Sequence, residues 1–70
     1  MAEGLGNRMR EERNARGLTQ VALAEQIGVS RKTINTVENG VFIPSTTLAL
    51  KIARAFGRSV DDVFYLTGEE

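Results

Sequence analysis

The sequence of 70 residues contains no cysteine and no histidine. Their absence excludes disulfide bonds, thiol nucleophiles and imidazole bases, and it removes the usual ligands of zinc. The carboxylates that remain do not cluster with a nucleophile, a base or the spacing of metal ligands, and the isolated glycines form no phosphate-binding loop. We therefore predict that the chain is not an enzyme and that it needs no metal and no cofactor.

Long apolar runs are also missing. No run approaches the ~18 residues that a membrane-spanning helix requires, and the first residues lack the pattern of a signal peptide. A hydrophobic content of 41 % is typical of a compact fold. We expect one domain over residues 1–70, in the cytoplasm and without membrane contact. A domain this short buries only about 60 % of the surface of its unfolded chain, so it often depends on oligomerisation.

The net charge is zero, but the charges are unevenly distributed along the chain. All nine basic residues lie within residues 7–58, which contain only four acidic residues, so this part carries a charge of +5. The five acidic residues outside it give the two ends a charge of −5. Because a local field rather than the total charge attracts a polyanion, the basic part remains suited to binding nucleic acid.

Glycines divide the chain into segments of helical length. They predict an all-α domain of five helices, over about residues 7–16 (or from Leu5), 19–28, 30–39, 45–56 and from Ser59 onward. In the last helix, Ser59 and Asp62 have the spacing of a capping box. Residues 65–67 are predicted to extend it as a short strand.

Two of these helices, joined by a tight turn, lie within residues 18–40. Thr19 and Ser30 are favourable N-cap residues for them, and Gly28 accepts the left-handed backbone that a sharp turn requires. Ala24 is small where the two helices should cross. The apolar residues that should face inward are Leu23, Ala24, Ile27, Ile34 and Val37. In this order and spacing, the features predict a helix-turn-helix motif over about residues 19–40, whose second helix enters the DNA major groove.

The chain also resembles a known family. The runs that carry the resemblance are RGLTQ (16–20), LAEQIGVSRKTIN (23–35), VENG (37–40), PS (44–45) and LALKIARAF (48–56). They are similar to the phage-repressor-type (lambda-repressor-like, XRE) helix-turn-helix family of small bacterial and phage regulators, and the similarity covers roughly residues 7–66. The resemblance implies a five-helix DNA-binding domain.

The second motif helix provides the residues that we expect to contact bases, because proteins of this type present base-reading side chains from its N-terminal end. Arginine bound to guanine O6 and N7 is the commonest specific contact, and lysine can replace it. The predicted base contacts are Arg31, Lys32, Thr36 and Ser30. The alternative interpretation of these residues is an ordinary solvent-exposed helix face.

Phosphate contacts are predicted at the start of the first motif helix and along the second. The predicted residues are Gln20, Thr19, Thr33, Asn35 and Asn39. The resemblance implies that Gln20 holds a phosphate and braces the second helix. Ser30 and Thr33 are also candidates for contact with a thymine methyl group, and Asn39 with Gly40 equally suits a helix C-terminus.

The resemblance further implies a partly buried ion pair between Arg13 and Glu38. Two features depart from the family pattern. Ala22 occupies a position where many relatives have a glutamate that completes a capping box with Thr19. Residues 41–43 (Val-Phe-Ile) are more apolar than the usual loop, so we expect them either to cover the core or to lie along a phosphate strand.

The segment over residues 59–67 carries more apolar surface than a short terminal helix can bury on itself. We expect it to form the interface of a homodimer, through Val60, Val63, Phe64, Tyr65 and Leu66. Its strand would pair across the two-fold axis or with the N-terminus, and the alternative is that Phe64 and Leu66 only fill the core of the monomer.

The functional hypothesis is a sequence-specific transcriptional regulator, a repressor or autoregulator, that binds a near-palindromic operator in double-stranded DNA as a dimer. The alternative is a protein-interaction module, such as an antitoxin or adaptor, that retains the helix-turn-helix fold.

Overall fold

The computed structural model describes residues 4–68. Along the chain, the elements are β1 (Gly4–Asn7), α1 (Met9–Ala15), α2 (Gln20–Ile27), α3 (Arg31–Glu38), α4 (Thr46–Phe56), α5 (Val60–Val63) and β2 (Phe64–Thr67). The five predicted helices are all present. No helix in this part of the chain is long and apolar enough to cross a membrane.

One apolar core joins all five helices. Its buried residues are Met9, Leu23, Ala24, Ile34, Val37, Ile52, Ala53, Phe56, Val63 and Phe64. Helix α4 contributes three of them from one face, as its apolar period predicts. Ala24 is buried where α2 packs against α3, so the prediction of a small residue at this crossing is confirmed.

The local signals that define the helix-turn-helix motif are also present. The hydroxyl of Thr19 accepts a hydrogen bond from the backbone N–H of Ala22, and that of Ser30 accepts one from Thr33. Gly28 ends α2 with a φ of 79°, the left-handed conformation that glycine adopts without steric cost. The Thr19 cap and Gly28 therefore define the two ends of α2, and the Ser30 cap defines the start of α3.

The predicted start of the first helix was wrong. Leu5 and Asn7 do not belong to the first helix but to strand β1, which pairs antiparallel with β2 in the register Gly4↔Thr67 to Asn7↔Phe64. Of the two pairings considered for the C-terminal strand, the structure has the one with the N-terminus of the same chain. Gly6 lies opposite Tyr65, and a Cβ atom at Gly6 would collide with the tyrosine ring.

The start of α5 is held by the predicted capping box. The Asp62 carboxylate accepts hydrogen bonds from the backbone N–H and the hydroxyl of Ser59, at 3.2 and 3.0 Å. These hydrogen bonds, first of all the one from the hydroxyl, lower the pKa of Asp62 below its ordinary value.

Two corrections concern apolar residues. Val63 and Phe64 are buried in the monomer core and offer no side-chain surface to a second copy, so we remove them from the predicted dimer interface.

The loop over residues 41–43 does not cover the core, because all three of its side chains are exposed, Val41 by 78 %. That interpretation of the loop was wrong.

Candidate nucleic-acid interface

Helix α3 divides into a buried face and an exposed end. Ile34 and Val37 are buried against the core, whereas Arg31 and Lys32 are exposed at the N-terminus of the helix. Both cations follow directly on the Ser30 cap. The fold thus presents two positive side chains from the end of the helix that the sequence analysis selected for base contact.

The hydroxyl groups along this end are engaged within the helix. Ser30 and Thr33 lie 3.0 Å apart, oxygen to oxygen, and the Thr36 hydroxyl donates to the carbonyls of Lys32 and Thr33. With its proton used in this way, Thr36 retains an acceptor oxygen and a methyl group for an external partner. This limits it to contact with a donor or with an apolar group such as a thymine methyl.

Gln20 connects α2 to α3 through both ends of its side-chain amide. Its Nε2 donates to Glu38 at 3.1 Å, and its Oε1 accepts from the Asn35 Nδ2 at 3.4 Å. Gln20 and Asn35, two of the predicted phosphate contacts, therefore lie side by side across the motif. The remaining N–H of each amide is free to donate to an anion, beside first-turn backbone N–H groups of α2 that have no partner within the helix.

A buried carboxylate anchors this arrangement. The Glu38 side chain has 0 % exposure and accepts from Arg13 through Nε at 2.5 Å and Nη2 at 3.2 Å. Arg13 is 9 % exposed and also donates to the carbonyl of Leu18. The structure thus contains the Arg13–Glu38 pair, a bidentate contact between α1 and α3, and Gln20 of α2 donates a further hydrogen bond to the same carboxylate.

Two contributors to the site were missed in the sequence. Asn7 donates from Nδ2 to the carbonyls of Val37 and Glu38 at the end of α3, and its Oδ1 accepts from the N–H of Met9. Arg10 donates to the Asn39 side chain at 3.2 Å. An asparagine shortly before a helix is a common cap, so Asn7 had a usable signal. Arg10 had none, because its partner is 29 residues away.

Asn39, predicted as a phosphate contact or a helix C-terminus, lies at the end of α3. It is the C-cap residue, and Gly40 follows with a φ of 75°. The exposed amide of Asn39 extends the polar surface formed by Gln20 and Asn35 toward Arg10.

Comparison with known proteins agrees with this geometry. The family model described as helix-turn-helix (HTH_3) matches residues 9–63. The chain is 43 % identical to the "Uncharacterized HTH-type transcriptional regulator YgzD" of Bacillus subtilis, over 90 % of this chain and 96 % of that one. It is 51 % identical to an "Uncharacterized HTH-type transcriptional regulator" of Methanothermobacter thermautotrophicus, over 83 % and 86 % of the two chains.

A solved structure is similar as well. The restriction-modification controller protein C.AhdI from Aeromonas hydrophila superposes with a TM-score of 0.73 and 35 % identity, over 77 % of this chain and 82 % of that one. The fold, the motif and the similarity over most of the chain lead to one identification: the chain belongs to the helix-turn-helix (HTH_3) family of DNA-binding, non-enzymatic transcriptional regulators.

Proposed function

We propose that this protein is a sequence-specific regulator that places α3 in the major groove of a near-palindromic operator as a homodimer. The observation that carries the proposal is the exposed cationic end of a helix whose opposite end is held by a buried carboxylate. The anchored end fixes the direction of the α3 backbone, so Arg31 and Lys32 start from defined positions at the free end of the helix. A regulator bound where the polymerase must bind blocks transcription, and we propose that this protein acts in the cytoplasm as a repressor or autoregulator of this kind.

The proposed contacts fall into two groups. Arg31 and Lys32 contact base edges, with Ser30 and Thr36 beside them, and these contacts carry the sequence preference. Thr19, Gln20, Thr33, Asn35 and Asn39 contact phosphates, which position the helix without carrying sequence information. The Gln20–Asn35 contact supports this division, because it sets two amide donors next to each other between α2 and α3.

The experiment that tests this function begins with selection of binding sites from random duplex DNA. The selected duplex is then titrated with the protein at about 50 and 200 mM salt. Because binding to phosphates releases counterions, about 6–10 phosphate contacts should lower the affinity about 10³- to 10⁵-fold over this range. We expect the selection to enrich a near-palindromic site, and we expect the affinity for that site to fall by about this factor between the two salt concentrations.

The control is the same titration with a scrambled duplex of equal length. It should bind more weakly at both salt concentrations while keeping a steep salt dependence, since non-specific binding is almost wholly electrostatic. Failure to enrich any sequence, together with no duplex binding at the lower salt concentration, would contradict the proposal and favour the protein-interaction module.

A further inference from the structure

The loop over residues 41–43 is the longest run of consecutive exposed apolar side chains within residues 4–68. Val41 is 78 % exposed, Phe42 48 % and Ile43 69 %. A single exposed apolar side chain is common on protein surfaces, whereas a contiguous exposed patch marks a surface that another molecule covers. The 41–43 loop therefore has the character of a contact surface.

The position of the loop relative to α3 indicates what it meets in the proposed DNA complex. The eight residues of α3 span about 12 Å, which is about the width of the major groove. When Arg31 and Lys32 lie on base edges, the opposite end of α3 reaches the rim of the groove. The 41–43 loop follows that end directly, so it faces the sugar–phosphate backbone of one strand.

The charges near the loop in the sequence are compatible with this position. Residues 39–60 contain no acidic residue. Glu38, which precedes them, has a fully buried carboxylate that is paired with Arg13. No unpaired carboxylate in this part of the sequence therefore repels a polyanion at the loop.

The hydrogen bonds of the loop determine which part of the DNA backbone it can contact. The N–H groups of Val41 and Phe42 donate to the carbonyl of Thr36, at 2.9 and 3.2 Å. Pro44 has no N–H group, and none of the three loop side chains carries a donor. The loop thus offers few donors to a phosphate, and what it offers instead is apolar surface. The apolar part of a DNA strand at the rim of a groove is the C–H surface of deoxyribose.

We infer that the 41–43 loop packs its side chains against deoxyribose rings of one strand in each half-site. The inference rests on the proposed function and adds to it a contact of a different kind from the phosphate and base contacts. The loop contributes affinity by removing apolar surface from water. This contribution carries no sequence information, because every nucleotide has the same sugar, and it releases no counterions, so it persists at high salt.

Hydroxyl-radical footprinting of the selected operator at saturating protein tests the contact directly, because the radical attacks deoxyribose and cuts less where a sugar is covered. The wild type should protect sugars at the rim of the groove that holds α3, in each half-site. The triple variant Val41→Ala, Phe42→Ala, Ile43→Ala lacks most of the apolar surface and gains no donor. It should lose this protection and keep the protection elsewhere in the site.

The matched control is the triple variant Val41→Ile, Phe42→Leu, Ile43→Val, which keeps three large apolar side chains in the loop. It should protect the same sugars as the wild type. Circular dichroism of both triple variants establishes that they are folded, as expected for changes at three exposed positions.

Affinity and heat capacity give a second readout. Burial of about 60 Å² of apolar surface is enough for a tenfold change in dissociation constant. We therefore expect the alanine variant to bind the operator at least about tenfold more weakly, by the same factor at about 50 and 200 mM salt. Calorimetric titrations at several temperatures should give a less negative heat-capacity change for this variant than for the wild type and the control, since apolar burial makes that change negative.

Unchanged protection of the rim sugars in the alanine variant would overturn the inference and would leave the loop to a protein partner. Loss of the protection in the control variant as well would also overturn it, because the apolar character of the loop would then not be the cause. A wild type that binds no duplex would contradict the proposed function itself, and this result is recognised before any variant is compared.

Discussion

Replacing Arg13 by alanine should remove a large part of the stability of the domain. The change leaves the Glu38 carboxylate fully buried without its bidentate partner. Removing one partner of a buried ion pair lowers the free energy of unfolding by about 3–5 kcal/mol. The whole free energy of unfolding of a native domain is about 5–15 kcal/mol. We expect Arg13→Ala to unfold at a much lower denaturant concentration than the wild type, measured by circular dichroism in urea.

The control for this prediction is Glu11→Ala, a carboxylate that is exposed on the same helix. It should change the free energy of unfolding by less than about 0.5 kcal/mol. The double variant Arg13→Met with Glu38→Leu should recover much of the loss, because apolar residues of similar volume often replace a buried pair without cost. Equal midpoints for Arg13→Ala and Glu11→Ala would show that the pair contributes nothing to the fold.

Replacing Arg31 by alanine should reduce affinity for the selected operator and relax its sequence preference. The loss of a bidentate contact to guanine costs about 1–3 kcal/mol, or about 5- to 150-fold in dissociation constant, for one base pair in each half-site. We expect the variant to bind duplexes that carry any base pair at that position with nearly equal affinity, measured by titration of the four substituted operators.

Gln20→Ala is the matched comparison, because Gln20 lies in the same motif but is assigned to a phosphate. It should weaken binding to all four duplexes by about the same factor, since a phosphate contact carries no sequence information. The opposite pattern, with altered base preference for Gln20→Ala and none for Arg31→Ala, would mean that the two roles are reversed.

The helix-turn-helix was predictable because short-range rules determine it. Thr19, Gly28 and Ser30 act on neighbours within three or four residues, and the apolar period of α4 is visible in its own sequence. The strand β1 was not predictable in this way. Its pairing joins Gly4 to Thr67. The N-terminus was one of two partners considered for the C-terminal strand, but no local signal distinguished a strand from the start of the first helix at residues 5–7.

In the candidate site too, some features follow from short-range rules, whereas others depend on residues that are distant in the sequence. The cationic end of α3 followed from the order of residues after Ser30, whereas the network around Glu38 depends on three helices that meet only in the folded chain. The family resemblance supplied Arg13 and Glu38, but Arg10 and the contact from Gln20 to Asn35 required the structure.

Apolar character was a poor guide to burial in the loop over residues 41–43. The backbone N–H groups of Val41 and Phe42 donate to the carbonyl of Thr36 and hold the loop against the end of α3. This turn continues from the end of α3 and leaves the three side chains exposed. Hydropathy alone therefore did not predict where these side chains lie.

The claim that α3 lies in the major groove is tested most directly by methylation interference on the selected operator. Methylation of guanine N7 modifies the major groove, and methylation of adenine N3 modifies the minor groove. We predict that N7 methylation of the guanine contacted by Arg31 in each half-site blocks binding by the wild type, whereas the residual binding of Arg31→Ala is insensitive to it. Interference confined to adenine N3, with no effect of guanine N7 methylation anywhere in the site, would contradict the account.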